Sequence, residues 1–587
     1  MTTTDETKAS EGGGGSSPPP PWMKGLKRYG PIVAVVALIA GAVVIFGGGG
    51  GDDDDGGSGG SDTESASEED LIRSGPMTPE KAELLGEDVD FGPTCDTDTG
   101  RIMLVSVYAA PCVEPFEGDN GGATSPGVTA DAVTVVYYRA DPALDPLTAA
   151  TVENAGADID PQTAADTVQG FADVYNELYE TYGRTVNVEV YTGTGPGDDV
   201  EAAQADAIAI AEKEPFAVVG GPTQAYNVFA AELASRGIIC GPNCALASPE
   251  SVLEANDPYL WSAGPTPDQG VALASEAIGN LAPPGPAELA GDEELQTQDR
   301  KYALLHYENA DGDFAEVFEA WQEELPANGI ELTTDIEFTL DLASAQENAR
   351  AYITQLREAG ITTIIYSGDP LTPASLTAEA TAQGYFPEWI LGTSVLMDTT
   401  IFARQTDQQQ WQNGFGMSIT AARGERSTNG AFRIWDWAYG GDPPNTSANV
   451  LEPPIRTIFT GIHLAGPDLN PETFRDGLLR YPVSGGGPTE AQVSRGEHGV
   501  WPDYDRGGID DMTIIWWDPT ATGEDEVGNE GTGMYRYANG GERYTTGNMP
   551  ESAEDAGLFD VESSVTVYDE VPAEDEAPDY PPPEIGG

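Results

Sequence analysis

Four cysteines, three histidines and a large surplus of carboxylates are the side chains through which this 587-residue chain could do chemistry. Cys95, Cys112, Cys240 and Cys244 allow three disulfide connectivities, and in an exported chain pairing is the default. Cys95 with Cys112, and Cys240 with Cys244 across a Gly-Pro-Asn turn, are the economical local pairs. A zinc site of all four thiolates is the alternative, disfavoured because paired C-x2-C knuckles are missing. His306, His463 and His498 lie far apart, one ending a strand pattern and one inside a helical pattern, so core or surface roles are expected before a metal site. Asn309-Ala310-Asp311-Gly312-Asp313 opens like a calcium loop, yet the position of the bidentate glutamate is Ala320. Gly56, Ser58 and Gly60 match the hydrolase G-x-S-x-G without a strand before or a helix after. Trp435, Trp437 and Tyr439 are expected to pack rather than to stack on sugar. Among 99 acids, close carboxylate pairs arise by chance, so no glycosidase pair can be recognised. With no constellation of nucleophile, base and metal, the chain is not expected to be an enzyme, and no metal or cofactor is expected. What remains is a binding turn. Gly220-Gly221-Pro222-Thr223-Gln224 opens a helix, where backbone N–H groups and a hydroxyl suit a carboxylate, although Thr223 could be a plain N-cap.

The elements that would hold such a turn follow from periodicity. Short β-branched runs at 133–138, 186–191, 216–220 and 237–240 alternate with amphipathic stretches at 160–182, 198–212 and 224–235, the first of which sets Val168, Phe171, Val174, Tyr175 and Leu178 on one face. The rhythm restarts with strands at 302–306, 332–338, 362–366 and 389–391 and helices at 314–328, 344–359 and 373–383. Strands at this spacing pair in parallel through right-handed crossovers, so the expected class is α/β with two doubly wound lobes, a hinge and an interlobe cleft. After Gly414 the pattern turns helical (431–439, 454–464, 471–479) and closes with a strand at 512–517 and a hairpin-like 533–545 around Asn539-Gly540.

Asp+Glu 99 against Lys+Arg 26 gives a net charge of −73. Such a chain repels phosphate backbones and anionic lipid, which excludes ordinary nucleic-acid binding and docking on membranes by a basic face. Lys81, Lys213 and Lys301 are the lysines of the folded part, a surface suited to a saline medium that screens self-repulsion. The 15 apolar residues 32–46 follow Lys24, Lys27 and Arg28, which predicts a cytoplasmic start and an exported remainder. A retained transmembrane signal-anchor is expected before a cleaved signal peptide, because no small-x-small site follows the run. The expected layout is a short cytoplasmic segment 1–30, an anchor 31–47, an acidic Gly/Ser/Asp linker 48–90, first-lobe parts 91–265 and 415–505, a second lobe 266–414, strands 506–550 returning to it, and an acidic Pro-rich tail 551–587 with little to bury.

The segments GVTADAVTVVYY (127–138), VVGGPTQAYNVFAAEL (218–233), GIICGPNCALASPES (237–251), PYLWSAGPTPDQG (258–270), YALLHYENADGDF (302–314), IIYSGDPLTPASL (364–376) and ILGTSVL (390–396), with the final GMYRYANGGERY, resemble in order and spacing the type I periplasmic binding proteins. The likeness is to their leucine/isoleucine/valine-binding branch, the solute receptors of ABC importers. It implies one small solute held between two closing lobes and handed to a permease in the membrane by a monomeric receptor. Carried over by resemblance, the first-lobe contacts would be Thr223, Gln224, Ala247, Ser248 and Thr266. Those of the second would be Tyr307 or Asp311, Asp369 and Ser394. Amino-acid binders of the family place an acid where Ser394 stands, and serine cannot neutralise an ammonium, so Asp369 would have to substitute. A sensor or cell-surface module of the same fold is the alternative function.

Overall fold

The computed structural model describes residues 68–144, 160–222, 224–244, 248–308, 314–340, 344–393, 396–428, 430–502 and 504–585. The expected cytoplasmic segment, anchor and most of the linker lie outside them. Among the described residues, no helix is long and apolar enough to cross a membrane.

A small hairpin, β1 (Cys95–Asp96) and β2 (Arg101–Ile102), precedes the first lobe. That lobe is built on β3 (Ala132–Arg139), β4 (Thr185–Thr192), β5 (Ala217–Val219) and β6 (Ile239–Cys240), all parallel, in the order β4-β3-β5-β6. Helix Pro161–Leu178 shows why the periodicity was decisive. Asp160 accepts a hydrogen bond from the Gln162 N–H at 2.9 Å, Pro161 starts the first turn, and the chain leaves the helix at Tyr179 in an extended conformation. Its Val168, Phe171, Val174, Tyr175 and Leu178 are all buried, each contributing about 1.5–3 kcal/mol of apolar burial. They meet Trp435, Ile455, Phe459 and Phe474 from helices Gly430–Tyr439, Ala448–Ala465 and Pro471–Leu479, which return to this lobe after the second has been built.

The second lobe contains β7 (Tyr302–Tyr307), β8 (Leu332–Phe338), β9 (Thr363–Ser367), β10 (Glu388–Leu391) and β11 (Gly414–Ser418) in parallel. A short β12 (Arg423–Gly424) follows, and β13 (Met512–Glu524), β14 (Glu530–Tyr537) and β15 (Arg543–Tyr544) return to the same sheet as antiparallel strands, in the order β14-β13-β11-β10-β9-β7-β8 with β15 on β13. β11 carries no strand pattern that the sequence would reveal, because two of its five residues are glycine. Gly416 has φ +157 and a Cβ there would lie 2.3 Å from the Leu391 carbonyl oxygen, so the close parallel pairing with β10 requires glycine.

Two expectations are corrected. Asn539 and Gly540 do adopt positive φ, but they do not reverse the chain: β14 and β15 on either side of them both pair with β13, and the hairpin turn lies between β13 and β14. The acidic end is not without anchors. β16 (Val567–Tyr568) pairs with β12, Tyr580 and Ile585 pack on the first-lobe core, and Trp437 Nε1–H donates to the Tyr580 carbonyl at 2.7 Å. Averaged composition hides a few apolar residues that find slots hundreds of positions away.

Three segments cross between the lobes, at 261–266, 419–428 and 505–511. The Gly508 N–H donates to the Gly264 carbonyl at 2.8 Å, joining the third crossing to the first. Arg543 donates to the Asp511 carboxylate and to the Ile419 carbonyl, joining the third to the second. The two disulfides are local: the Cα atoms of Cys95 and Cys112 are 5.6 Å apart and those of Cys240 and Cys244 5.3 Å. All four cysteines are thereby paired.

Candidate functional site

Each sheet reverses its winding once. In the first lobe β4 lies on one side of β3 and β5 on the other; in the second, β8 and β9 flank β7 in the same way. At such a switch point the loops leaving neighbouring strands diverge and open a crevice at the strand carboxyl ends. The crevice residues are therefore Arg139 and Gly220–Pro222 in the first lobe, and Tyr307 and Ser367–Asp369 in the second. The two rims meet where the Ser251 hydroxyl donates to the Glu316 carboxylate at 2.9 Å.

Gly220 holds the first-lobe crevice tight. Its φ is +74, and a Cβ would stand 2.4 Å from the Tyr138 carbonyl oxygen, so β5 ends against β3 only because the side chain is absent. Strand alternation then separates Tyr138 from Arg139. The Tyr138 hydroxyl donates to Asp206, which also accepts from Tyr191 and from the backbone and hydroxyl of Thr194. Arg139 falls on the opposite face, with Val135 and Tyr137. Burial pushes the Tyr137 hydroxyl up to about 12, and the guanidinium of Arg139 pulls the other way. Nε and Nη1 of Arg139 are buried and have no hydrogen-bond partner among the described residues. Arg300, Arg404, Arg456, Arg536 and Arg543 each pair with a carboxylate, whereas these two nitrogens of Arg139 meet none among the described residues.

The second-lobe carboxylate is the reverse case. Asp369 is 5% exposed, and its Oδ1 accepts from the Leu371 and Thr372 N–H groups, both at 2.8 Å, while Oδ2 accepts from the Thr372 hydroxyl at 2.7 Å. These bonds hold the turn that leads into helix Thr372–Ala382. Desolvation raises the Asp369 pKa from its ordinary value, against the lowering effect of those donors. The carboxylate that would have to meet an ammonium is thus engaged by its own loop.

The remaining expected contacts divide in three. Thr223, Ala247, Asp311 and Ser394 lie outside the described residues, as does the 309–313 segment considered for calcium. Gln224 is exposed, with its N–H bonded to the Gly197 carbonyl at 3.0 Å, and Tyr307 is half-buried with its ring edge-on to Phe314 and Phe338. Ser248 and Thr266 are buried and engaged: Ser248 donates to Asn227 Oδ1 at 3.1 Å, and Thr266 caps helix Pro267–Leu281 in a capping box with Gln269. Thr266 therefore serves the hinge end of that helix. Arg139 was missed in the sequence. The available signal was its place at the end of the first strand of a doubly wound lobe, but only pairing across the fold reveals that it has no partner.

Among the described residues, no group of three or more His, Cys, Asp or Glu could hold a metal ion. His463 accepts at Nδ1 from the Glu180 N–H, contacts the Pro111 carbonyl through Nε2, and is lowered by burial to about 4, so it is a neutral core residue. His306 stacks on Phe318 with ring centres 4.1 Å apart. Trp435 sits edge-on to Phe171, within lobe packing.

Against known proteins, no family model matches the sequence and no curated protein matches it. Many solved structures match, among them leucine/isoleucine/valine-binding-like substrate-binding proteins of ABC transporters. A leucine-, isoleucine-, valine-, threonine- and alanine-binding protein from Brucella ovis, in a closed conformation, matches at 12% identity and TM-score 0.49, over 75% of this chain and 100% of that one. A fatty acid ABC transporter substrate-binding protein from Thermomonospora curvata matches at 14% and 0.46, over 76% and 99%. A solute binding protein of an ABC transporter from Rhodopseudomonas palustris, in complex with 3,4-dihydroxy benzoic acid, matches at 12% and 0.45, over 71% and 97%.

Proposed function

We propose that the chain is an extracytoplasmic solute receptor of an ABC importer that binds a small anionic solute, such as a carboxylate, between its two lobes. The observation that carries this reading is Arg139: a half-buried arginine at the switch point of the first lobe, whose Nε and Nη1 are buried and unpartnered among the described residues. Removing a cation from water without a counter-charge is costly, and an anion arriving in the crevice would relieve that cost with paired, charge-assisted hydrogen bonds. Gln224, exposed on the neighbouring loop, would line the entrance. An amino-acid ligand is the second reading. It is weakened because Asp369 already accepts three hydrogen bonds from its own loop.

The apolar run at 32–46 and the basic residues before it favour a membrane anchor, with the Gly/Asp-rich linker as a tether toward a permease. A monomer suffices for this role. A sensor of the same fold would share the crevice but need a signalling partner. The test is mass spectrometry of the solute released when the purified protein is denatured, followed by calorimetry with that solute. An anion bound with 1:1 stoichiometry supports the reading, and a purely cationic or apolar solute overturns it. Intact mass of membrane-extracted protein tests the anchor, which fails if the mature chain starts near Gly50.

A further inference from the structure

Between the first and third crossings lies a cluster of acids that solute binding does not use. Asp505 is 3% exposed and Asp510 is fully buried. Asp505 Oδ1 accepts from Gln269 Nε2–H and from the Gly507 N–H, both at 2.7 Å, and Asp510 Oδ2 accepts from Gln492 Nε2–H at 3.3 Å. The other oxygen of each, Asp505 Oδ2 and Asp510 Oδ1, is buried and has no donor among the described residues. The two carboxyls interact directly, and Ser494 also bonds to Asp510. Two interacting carboxyls, each with a buried oxygen that lacks a donor among the described residues, are explained by one missing hydrogen, since two ionised carboxylates cannot share so dry a site.

We propose that Asp505 and Asp510 share a single proton that fastens the third crossing to the first, and that loss of this proton frees the lobes to open. The carboxyls sit where such a lock would act. Gln269, which bonds Asp505, lies in the first turn of the helix that the first crossing enters, and the Gly508–Gly264 bond lies between the two acids. Arg495, whose Nη2–H donates to the Ser262 carbonyl at 3.0 Å, faces both acids and supplies one positive charge, enough for one carboxylate and not two. The other charges around the cluster are already balanced. Asp511 is paired with Arg543 at 2.8 Å, and Glu250, which lies near Asp505 and Asp268, is paired with Arg506 at 2.5 Å. Desolvation first, and Asp505 second, push Asp510 up to about 8. Because the closed hinge keeps the proton to that pH whereas a solvated aspartic acid loses it near about 4, the proton's contribution to closure is complete at low pH. It is lost as pH rises through about 8.

Hydrogen exchange of the Gly508 amide in the full-length protein, corrected for the intrinsic pH dependence of exchange, reads the opening. The ratio of open to closed hinge should rise by up to about tenfold per pH unit between about pH 4 and pH 8 and level off above pH 8. In Asp510→Asn the amide can donate to Asp505 without a titrating proton, so the profile should be flat. Asp505→Asn should also be flat, and it keeps the test decisive if the first variant misfolds. Infrared spectra at pH 7 should contain a protonated-carboxyl band that Asp510→Asn removes. Glu490, pushed up to about 7 by burial and by Asp575, titrates in the same range and stays unchanged in both variants, so their difference from wild type isolates the pair. Parallel exchange profiles in wild type and both variants, or no infrared band lost, would overturn the proposal.

Discussion

At the mouth of the first lobe stands a guanidinium with two buried nitrogens unpartnered among the described residues, and at the mouth of the second a carboxylate that accepts three hydrogen bonds from its own loop. Arg139 ends β3 and Asp369 lies two residues beyond β9, each beside the switch point of its own sheet. The difference teaches that position in a cleft does not make a ligand contact. A side chain whose polar atoms are satisfied within its own loop gains little from a solute, whereas one left unsatisfied gains the full benefit of a partner.

The largest effect should come from a carboxylate that resembles Asp369 in being satisfied but lies deeper. Glu388 is fully buried and accepts from Arg300 Nε and Nη2 at 2.9 and 3.0 Å, from the Leu289 N–H at 3.0 Å and from the Thr363 hydroxyl at 2.5 Å. Glu388→Ala should cost about 3–5 kcal/mol of stability, because Arg300 is left buried without its partner. Chemical denaturation measures it, and a loss below about 1 kcal/mol would mean that satisfaction in this lobe is not what stabilises it. Next is Arg139→Gln, which should weaken binding of an anionic solute by about 2–5 kcal/mol while leaving the fold intact. Calorimetry with the recovered solute decides this, and an unchanged affinity would abolish the contrast between the lobes.

Asp369→Ala should destabilise by about 1–3 kcal/mol, since the Leu371 and Thr372 donors would be orphaned, and Asp369→Asn should leave solute affinity within a few-fold. A hundredfold loss of affinity, about 2.7 kcal/mol, would instead make Asp369 a ligand contact and return an ammonium-bearing solute to the front. The smallest expected change is Thr266→Ala, at about 0.5–2 kcal/mol of stability from the lost cap. If thermal melts show that loss without a change in affinity, the buried threonine of the first crossing is structural, as its capping box implies.

How much was legible in the chain beforehand follows the range of the interactions. Helix Pro161–Leu178 and strand β8 were readable because their burial repeats every three to four or every two residues, within a window the eye can hold. β11 was not, because its glycines answer to the backbone of β10 rather than to a local pattern. Among the site residues, the Gly220 turn was evident from its composition. Ser248 and Thr266 were placed at the cleft by resemblance, and their engagement with Asn227 and with the capping box of helix Pro267–Leu281 is what the chain did not reveal.

The sequence by itself determined the alternation of strands and helices and the acidic surface, and pointed to local cysteine pairs, because each depends on neighbours or on sums over composition. The tertiary structure decided which polar groups are satisfied. Gln269 meets Asp505 across 236 positions, Trp437 meets Tyr580 across 143, and Nε and Nη1 of Arg139 meet no partner among the described residues. Pairing of this kind is a property of the folded chain: desolvation makes each buried charge costly, and only the final packing determines which of those costs is met.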